Sequence, residues 1–217
     1  MKEIILIKVG KEYYPTNCYI VKDEENNAVI IDPGYDKDKI IHEIVKRKLN
    51  VLAIILTHGH GDHIGALEDV MVEFNCNVVI HENDIDCFID DEKAYFSKLN
   101  VVMPNISKEK IITCKDKDIL NYGKINLEVI HTPGHTNGSI CLYENSMNIL
   151  LTGDTIFQDC YGRCDLKSSS IEDMGKSIEL IFNRFSNICI YPGHEGIVDI
   201  DSIKKRIRLL YAVRRRD

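Results

Sequence analysis

The sequence has little of what would place it in a membrane, in a secretory route or on a nucleic acid. No run approaches the roughly 20 consecutive apolar residues that span a bilayer, which excludes an ordinary transmembrane helix. The opening stretch Met1 to Val9 is apolar only briefly and carries no small-residue cleavage site. It reads as a first strand rather than a signal peptide, and a cytoplasmic location is expected. Eight cysteines are present, none in a Cys-x-x-Cys pair, so reduced and partly buried thiols are expected rather than a disulfide framework. Cys160 and Cys164 flank a candidate site loop, but their spacing alone does not indicate redox chemistry. Positive charge is in deficit, the net charge being −7, which disfavours nucleic acid and anionic membrane as partners. Internal repeats, low-complexity tracts and linker-like stretches are all missing, and one domain over residues 1–217 is expected.

One segment runs against the acidic balance. Lys204, Lys205, Arg206, Arg208, Arg214, Arg215 and Arg216 crowd the C-terminus. They read as the cationic side of a terminal helix whose Ile203, Ile207, Leu210 and Tyr211 face inward, in preference to a patch for nucleic acid or membrane.

What is present is an ordinary globular composition, 44% hydrophobic and 28% charged, arranged in alternating patterns. Residues 3–9, 17–22 and 27–32 read as three opening strands, the third closing in Asp32-Pro33-Gly34. Ile40, Ile41, Ile44, Val45 and Leu49 then recur at helical spacing, as do Ile64, Leu67, Val70, Met71 and Phe74. Between these helices lies the apolar run 51–56, a buried strand. Further strands are expected at 77–81, within 111–131, at 139–143, 148–152 and 188–191, with helices behind Ser170 and over 201–217. Residues 83–110 carry no legible period. Three strands without helices followed by strand–helix alternation exclude both a simple βαβ array and an all-β sandwich. A mixed α/β architecture with more than one sheet remains.

The chain is organised around Thr57-His58-Gly59-His60-Gly61-Asp62-His63, directly after the strand 51–56. Three imidazoles and a carboxylate in so short a span, spaced by glycines that let the backbone turn tightly, suit a metal such as zinc. His135, Asp154 and His194 repeat the pattern: each follows a strand and sits beside a glycine. Together these are seven donors, which suit two metal ions about 3.5–4 Å apart sharing one carboxylate.

The combination His58-x-His60-x-Asp62-His63, His135, Asp154 and His194 resembles the metallo-β-lactamase fold superfamily. The match takes in Asp32-Pro-Gly34, Thr132-Pro-Gly-His-Thr136 and Gly153-Asp-Thr155, and runs from about residue 17 to 196. The resemblance implies an αββα sandwich, two mixed sheets face to face with helices outside and metals at one edge. The stretch Gly153 to Phe157 with Gly162-Arg-Cys-Asp165 is similar to the glyoxalase II group, especially its short bacterial relatives. By that resemblance His58, His60 and His135 hold one metal, Asp62, His63 and His194 the other, and Asp154 bridges. Zinc is expected first, with iron and manganese as alternatives. Asp154 stands where the best-known lactamases carry cysteine, and His60 where the flavodiiron branch carries glutamate. Glyoxalase II proper adds a C-terminal helical region that helps to bind glutathione, whereas here the residues after His194 suffice for one helix.

The implied reaction is metal-assisted hydrolysis of a small-molecule thioester such as a hydroxyacylglutathione, with Asp62 and Asp154 as the catalytic carboxylates. Arg163 stands where the group places a basic residue near the substrate; it either meets a substrate carboxylate or pairs with Asp165. A persulfide dioxygenase of the same fold is the main alternative, with one iron on His58, His135 and Asp154. A phosphodiesterase or nuclease is disfavoured by the acidic charge, and a non-catalytic binding module by the seven donors. Of the other histidines, His42 is expected in solvent. His81 and His131 are expected as structural strand-end residues, with an orienting role for His131 as the alternative.

Overall fold

The computed structural model describes residues 1–12 and 15–214; Arg215 and Arg216 of the basic C-terminal cluster lie outside them. Among the described residues twelve strands form two six-stranded sheets, each in chain order. The first sheet holds β1 (Glu3–Val9), β2 (Thr16–Lys22), β3 (Asn27–Ile31), β4 (Asn50–Ile55), β5 (Asn77–His81) and β6 (Ile111–Cys114). Its first three strands pair antiparallel, and β3 to β6 pair parallel. The second sheet holds β7 (Ile119–Tyr122), β8 (Ile125–His131), β9 (Ile140–Glu144), β10 (Ile149–Gly153), β11 (Cys189–Pro192) and β12 (Val198–Asp199). It is antiparallel apart from the parallel pair β10–β11.

The alternation of a strand's side chains explains the four layers. In β2, Tyr19 and Val21 enter the core between the sheets, while Cys18 and Ile20 point to the outer side. In β3, Val29 and Ile31 point in and Ala28 and Ile30 point out; β4 divides Ala53 and Ile55 from Ile54 in the same way. Strands buried on both faces read as continuous apolar runs, which is why 51–56 shows no polar alternation. Helices α1 (Lys37–Arg47) and α3 (Leu67–Phe74) supply Ile40, Ile44, Leu67 and Val70 to the outer core of the first sheet. Helices α6 (Ile171–Arg184) and α7 (Ile200–Arg214) cover the second sheet with Met174, Ile178, Ile181, Ile203 and Ile207. Fold and helix–sheet–sheet–helix layering agree with the mixed α/β sandwich expected from the sequence.

Two details differ from the periodicity. Val45 is exposed and Ile41 only partly covered, because the buried stripe of α1 is carried by Ile40 and Ile44. Residues 83–110 contain short elements rather than one long one: a 3-10 helix (Glu82–Phe88), α4 (Asp91–Ala94), α5 (Phe96–Leu99) and a 3-10 turn (Lys108–Lys110). Elements of one or two turns are too short to show a period. They are nevertheless packed, with Phe88, Ala94 and Phe96 buried in the first outer core. Among the described residues no helix is long and apolar enough to cross a membrane.

Candidate metal centre

The donors gather where strand ends from the two sheets meet. Beyond β4, Thr57 is caught by Asp32 just past β3: its N–H donates to Asp32 Oδ1 at 2.8 Å and its hydroxyl to Oδ2 at 2.6 Å. The chain then passes His58 and His60 and enters the four-residue helix α2 (Gly61–Ile64), which carries Asp62 and His63. His135 stands beyond β8, Asp154 beyond β10 and His194 beyond β11. Close approach at two of these turns requires glycine. Gly153 has φ +46°, and a Cβ there would lie 2.6 Å from Thr57 Cβ; one at Gly193 would press on Asp154 Oδ1 and lie 2.7 Å from His63 Cε1.

The seven predicted donors converge into two groups. One ligand atom from each of His58, His60 and His135 lies within 4.8 Å of the others, and so for Asp62, His63 and His194. Asp154 stands between them, its oxygens 3.3 Å from His63 Nε2, 3.4 Å from His135 Nε2 and 3.6 Å from His194 Nε2. Asp32 also neighbours His58 and His63, but both its oxygens already accept hydrogen bonds.

The backs of the rings fix which nitrogen is bare. The Thr57 hydroxyl spends its proton on Asp32, so His58 Nδ1, 3.1 Å away, is the donor to that oxygen. His63 Nδ1 donates to Asp32 Oδ2 at 3.0 Å, His135 Nδ1 to the Arg163 carbonyl at 3.0 Å and His194 Nδ1 to the Pro15 carbonyl at 2.9 Å. Four imidazoles therefore turn Nε2, rather than Nδ1, toward the cluster. His60 is the exception, its Nδ1 facing His135 Nε2 at 2.8 Å.

Burial and charge point the same way. Burial, helped by positive neighbours such as His63, holds His58 well below the ordinary imidazole value, and burial pushes His60 down to about 3. Burial opposes ionisation of Asp62, but His63 and His194 outweigh it and its pKa falls to about 2. Asp154 is likewise held low against burial by His194 and His63. The same carboxylates raise His63 and His194 against the cost of burying their charge. Among the described residues, His58 Nε2, His60 Nε2 and Asp154 Oδ1 are buried without a hydrogen-bond partner. Each such orphan costs about 1–3 kcal/mol. Bare imidazole nitrogens, ionised carboxylates and unmet polar atoms in one pocket fit a divalent metal.

Sequence reasoning missed two supports. Asp84, in the 3-10 helix after β5, accepts from Gly59 N at 3.1 Å, Thr136 Oγ1 at 2.6 Å and Gly138 N at 2.7 Å. It thereby joins the His58–His60 loop to the His135 loop. Asp32 reads in the sequence as a turn signal and as part of the motif match, with no role assigned, although it holds both Thr57 and His63. Arg163 lines the cavity over the metal cluster, yet its guanidinium forks onto Asp165 at 2.9 and 3.0 Å. Cys160 lines it too, with Sγ 3.6 Å from Glu195 Oε1, while Cys164 Sγ turns to the Gly162 carbonyl at 3.3 Å. His42 is exposed. His81 and His131 stack on each other at 4.1 Å, and His131 Nε2 donates to the Asn137 carbonyl.

The cavity has a volume of about 610 Å³ and is floored by His60, Asp62, His135, Asp154 and His194. The sequence pattern described as the metallo-beta-lactamase superfamily matches residues 13–201. The chain belongs to that superfamily. It is 31% identical over 196 residues to the hydroxyacylglutathione hydrolase GloC of Haemophilus influenzae, covering 88% of this chain and 91% of that one. It is 30% identical over 190 residues to the probable metallo-hydrolase YqgX of Bacillus subtilis, covering 84% and 85%. The crystal structure of the BLEG-1 B3 metallo-beta-lactamase superposes with a TM-score of 0.87 at 29% identity, covering 96% and 99%.

Proposed function

We propose that this metallo-hydrolase cleaves a hydroxyacyl thioester, with two divalent ions, zinc in preference to iron or manganese. The observation that carries the reading is a full seven-donor cradle in a chain that matches GloC over nearly the length of both. His58, His60 and His135 would hold one ion and Asp62, His63 and His194 the other, with Asp154 shared. Bound there, the ions would act as Lewis acids and bring the pKa of a coordinated water to about 7.

The chain's own residues do the rest. Asp32, Thr57 and the carbonyls of Pro15 and Arg163 fix the ring orientations before any substrate arrives. Asp62 is the carboxylate on the cavity floor suited to orient the attacking water and to hold its proton. Leu99, Phe157 and Leu166 line the same cavity and would exclude solvent from the scissile bond, which strengthens the charge interactions there. The leaving group is a thiol of pKa about 8.5, which departs as its anion without needing a general acid. Arg163 reaches a substrate carboxylate only by giving up Asp165; its fixed contribution is its carbonyl on His135.

Metal analysis combined with a substrate panel tests this reading. Two zinc ions per chain and turnover of S-lactoylglutathione are expected. The likeness to a B3 metallo-beta-lactamase is a reason to assay a β-lactam beside it. Lactam hydrolysis without thioester hydrolysis overturns the substrate. One iron per chain with persulfide consumption and no hydrolysis replaces the reaction by the dioxygenase.

A further inference from the structure

Four of the five cluster imidazoles are held from behind by an acceptor. Asp32 serves His63, the Thr57 hydroxyl serves His58, and main-chain carbonyls serve His135 and His194. Among the described residues His60 has no such support. Its Nδ1 faces His135 Nε2, a fellow donor, and its Nε2 is buried without a hydrogen-bond partner. Packing must then set the tilt of this ring. His58 and His135 stand edge-on to it at 4.8 and 4.5 Å, but both are donors themselves. Among the described residues the one other ring against it is Tyr95, edge-on at 5.5 Å between ring centres.

Tyr95 is itself anchored from several sides. It joins α4 to α5 with a left-handed backbone, φ +61°. That conformation is an outlier for a bulky side chain and persists only where the surroundings enforce it. At comparable helix ends the chain uses Asn75 after α3 and Asn100 after α5, so the turn by itself does not require an aromatic. The Tyr95 hydroxyl accepts from Lys167 N at 2.9 Å, and Lys98 Nζ stands 4.6 Å from the ring centre. Lys167 also reaches back to Asp90 and Glu92 at the start of α4. The whole segment is seated on the ligand loop. A Cβ at Gly61, between His60 and Asp62, would lie 3.0 Å from Phe96 Cδ1 and 3.3 Å from the Ala94 carbonyl oxygen, and Ala94 and Phe96 are both buried.

We propose that Tyr95 is the positioning residue of His60, its ring doing by contact what an acceptor does behind the other four imidazoles. This rests on the two-metal reading above and is independent of the substrate. Removing the ring should weaken the His58, His60 and His135 group and leave the Asp62, His63 and His194 group as it is.

The test reads metal binding rather than turnover. Zinc titrated into the metal-free protein against a chromophoric chelator measures the affinity of each ion, and cobalt in its place reports ligand geometry by its visible absorption. Tyr95→Asn removes the ring and supplies a residue that accepts the left-handed backbone. Tyr95→Phe keeps the ring and removes the hydroxyl. In Tyr95→Asn one of the two ions should bind about tenfold more weakly, the scale of losing a group that orients a ligand, with a changed cobalt spectrum. Tyr95→Phe should keep affinity and spectrum close to the parent's. The loss should persist in a His194→Ala background, where the His58, His60 and His135 group alone is complete. Unchanged affinity and spectrum in Tyr95→Asn, equal losses in the two variants, or a loss that vanishes in the His194→Ala background overturns the role. Equal weakening of both ions also overturns it, because that marks a general loosening of the fold. Any of these results with two ions bound by the parent leaves the metal centre standing. A parent that binds no ion overturns the centre and this role with it.

Discussion

Gly193 shows how little tolerance the site has at the scale of one residue. A methyl group there would press on Asp154 Oδ1 and lie 2.7 Å from His63 Cε1, so the residues expected to share a metal would be pushed apart. Gly193→Ala should therefore fold, retain the His58, His60 and His135 group, and bind fewer metal ions per chain. Metal analysis after gel filtration checks this, and unchanged stoichiometry with unchanged activity would contradict it. Asp84 acts differently, because it touches no donor. Its carboxylate is buried and burial raises its pKa, yet it accepts three hydrogen bonds from the two ligand loops. Asp84→Ala leaves those donors unmet and should cost roughly 2–4 kcal/mol of stability, with metal affinity falling as the loops separate. Asp84→Asn keeps one acceptor oxygen, which can still serve Gly59 N and Thr136 Oγ1 while its amide faces Gly138 N, and should lose less than the alanine variant in a urea titration. Equal losses for the two variants would show that the hydrogen bonds are not what matters.

Elements differ in how openly they appear in the sequence. Long strands and the helices α1, α3 and α6 are legible because burial on one or two faces leaves a clear apolar pattern in Val29 to Ile31, Ala53 to Ile55 and Met174 to Phe182. The donors are legible because strand-end glycines flank His58, His135, Asp154 and His194. Residues 83–110 are illegible because their elements are three to seven residues long, and Asp84 is hidden there for the same reason. Arg206 reads as surface charge until its guanidinium is seen on Asp159 at 3.0 Å, which ties α7 to the loop 157–165. Asp23 is also silent in the sequence beyond marking a turn. In the structure it joins the sheets: it accepts from Glu25 N and Asn27 in the β2–β3 turn and from Lys124 N in the β7–β8 turn. Burial works against its charge, but these hydrogen bonds, led by that of Asn27, bring its pKa down to about 2. A carboxyl depressed in the folded state stabilises above its unfolded value, near 3.9, and loses that contribution as pH falls toward 2. Between pH 5 and pH 3, Asp23→Asn should thus lose less stability than the parent chain. An equal loss in both, measured by urea midpoints, would contradict the assignment.

Taken whole, the molecule is two sheets with covered outer faces whose strand ends are brought together by one charged cluster. His58, His60, Asp62 and His63 come from the first sheet and His135, Asp154 and His194 from the second, so a metal held between them would also hold the sheets together. Ligands that bind only the folded state raise its stability, by about 2.7 kcal/mol at a hundredfold excess over Kd. For a chain of this size that is on the order of 5–10 °C in Tm. Chelation should lower Tm by that amount and zinc should restore it; a Tm indifferent to chelator would mean the cluster is not a metal centre of the fold. The most direct measurement is turnover of S-lactoylglutathione by the zinc-loaded chain beside Asp154→Ala, with metals counted in both. A dinuclear centre sharing Asp154 predicts two ions and steady turnover in the parent, and in the variant fewer ions and at least a hundredfold lower rate, as for loss of a shared ligand. Full turnover by a variant that still binds two ions would contradict it.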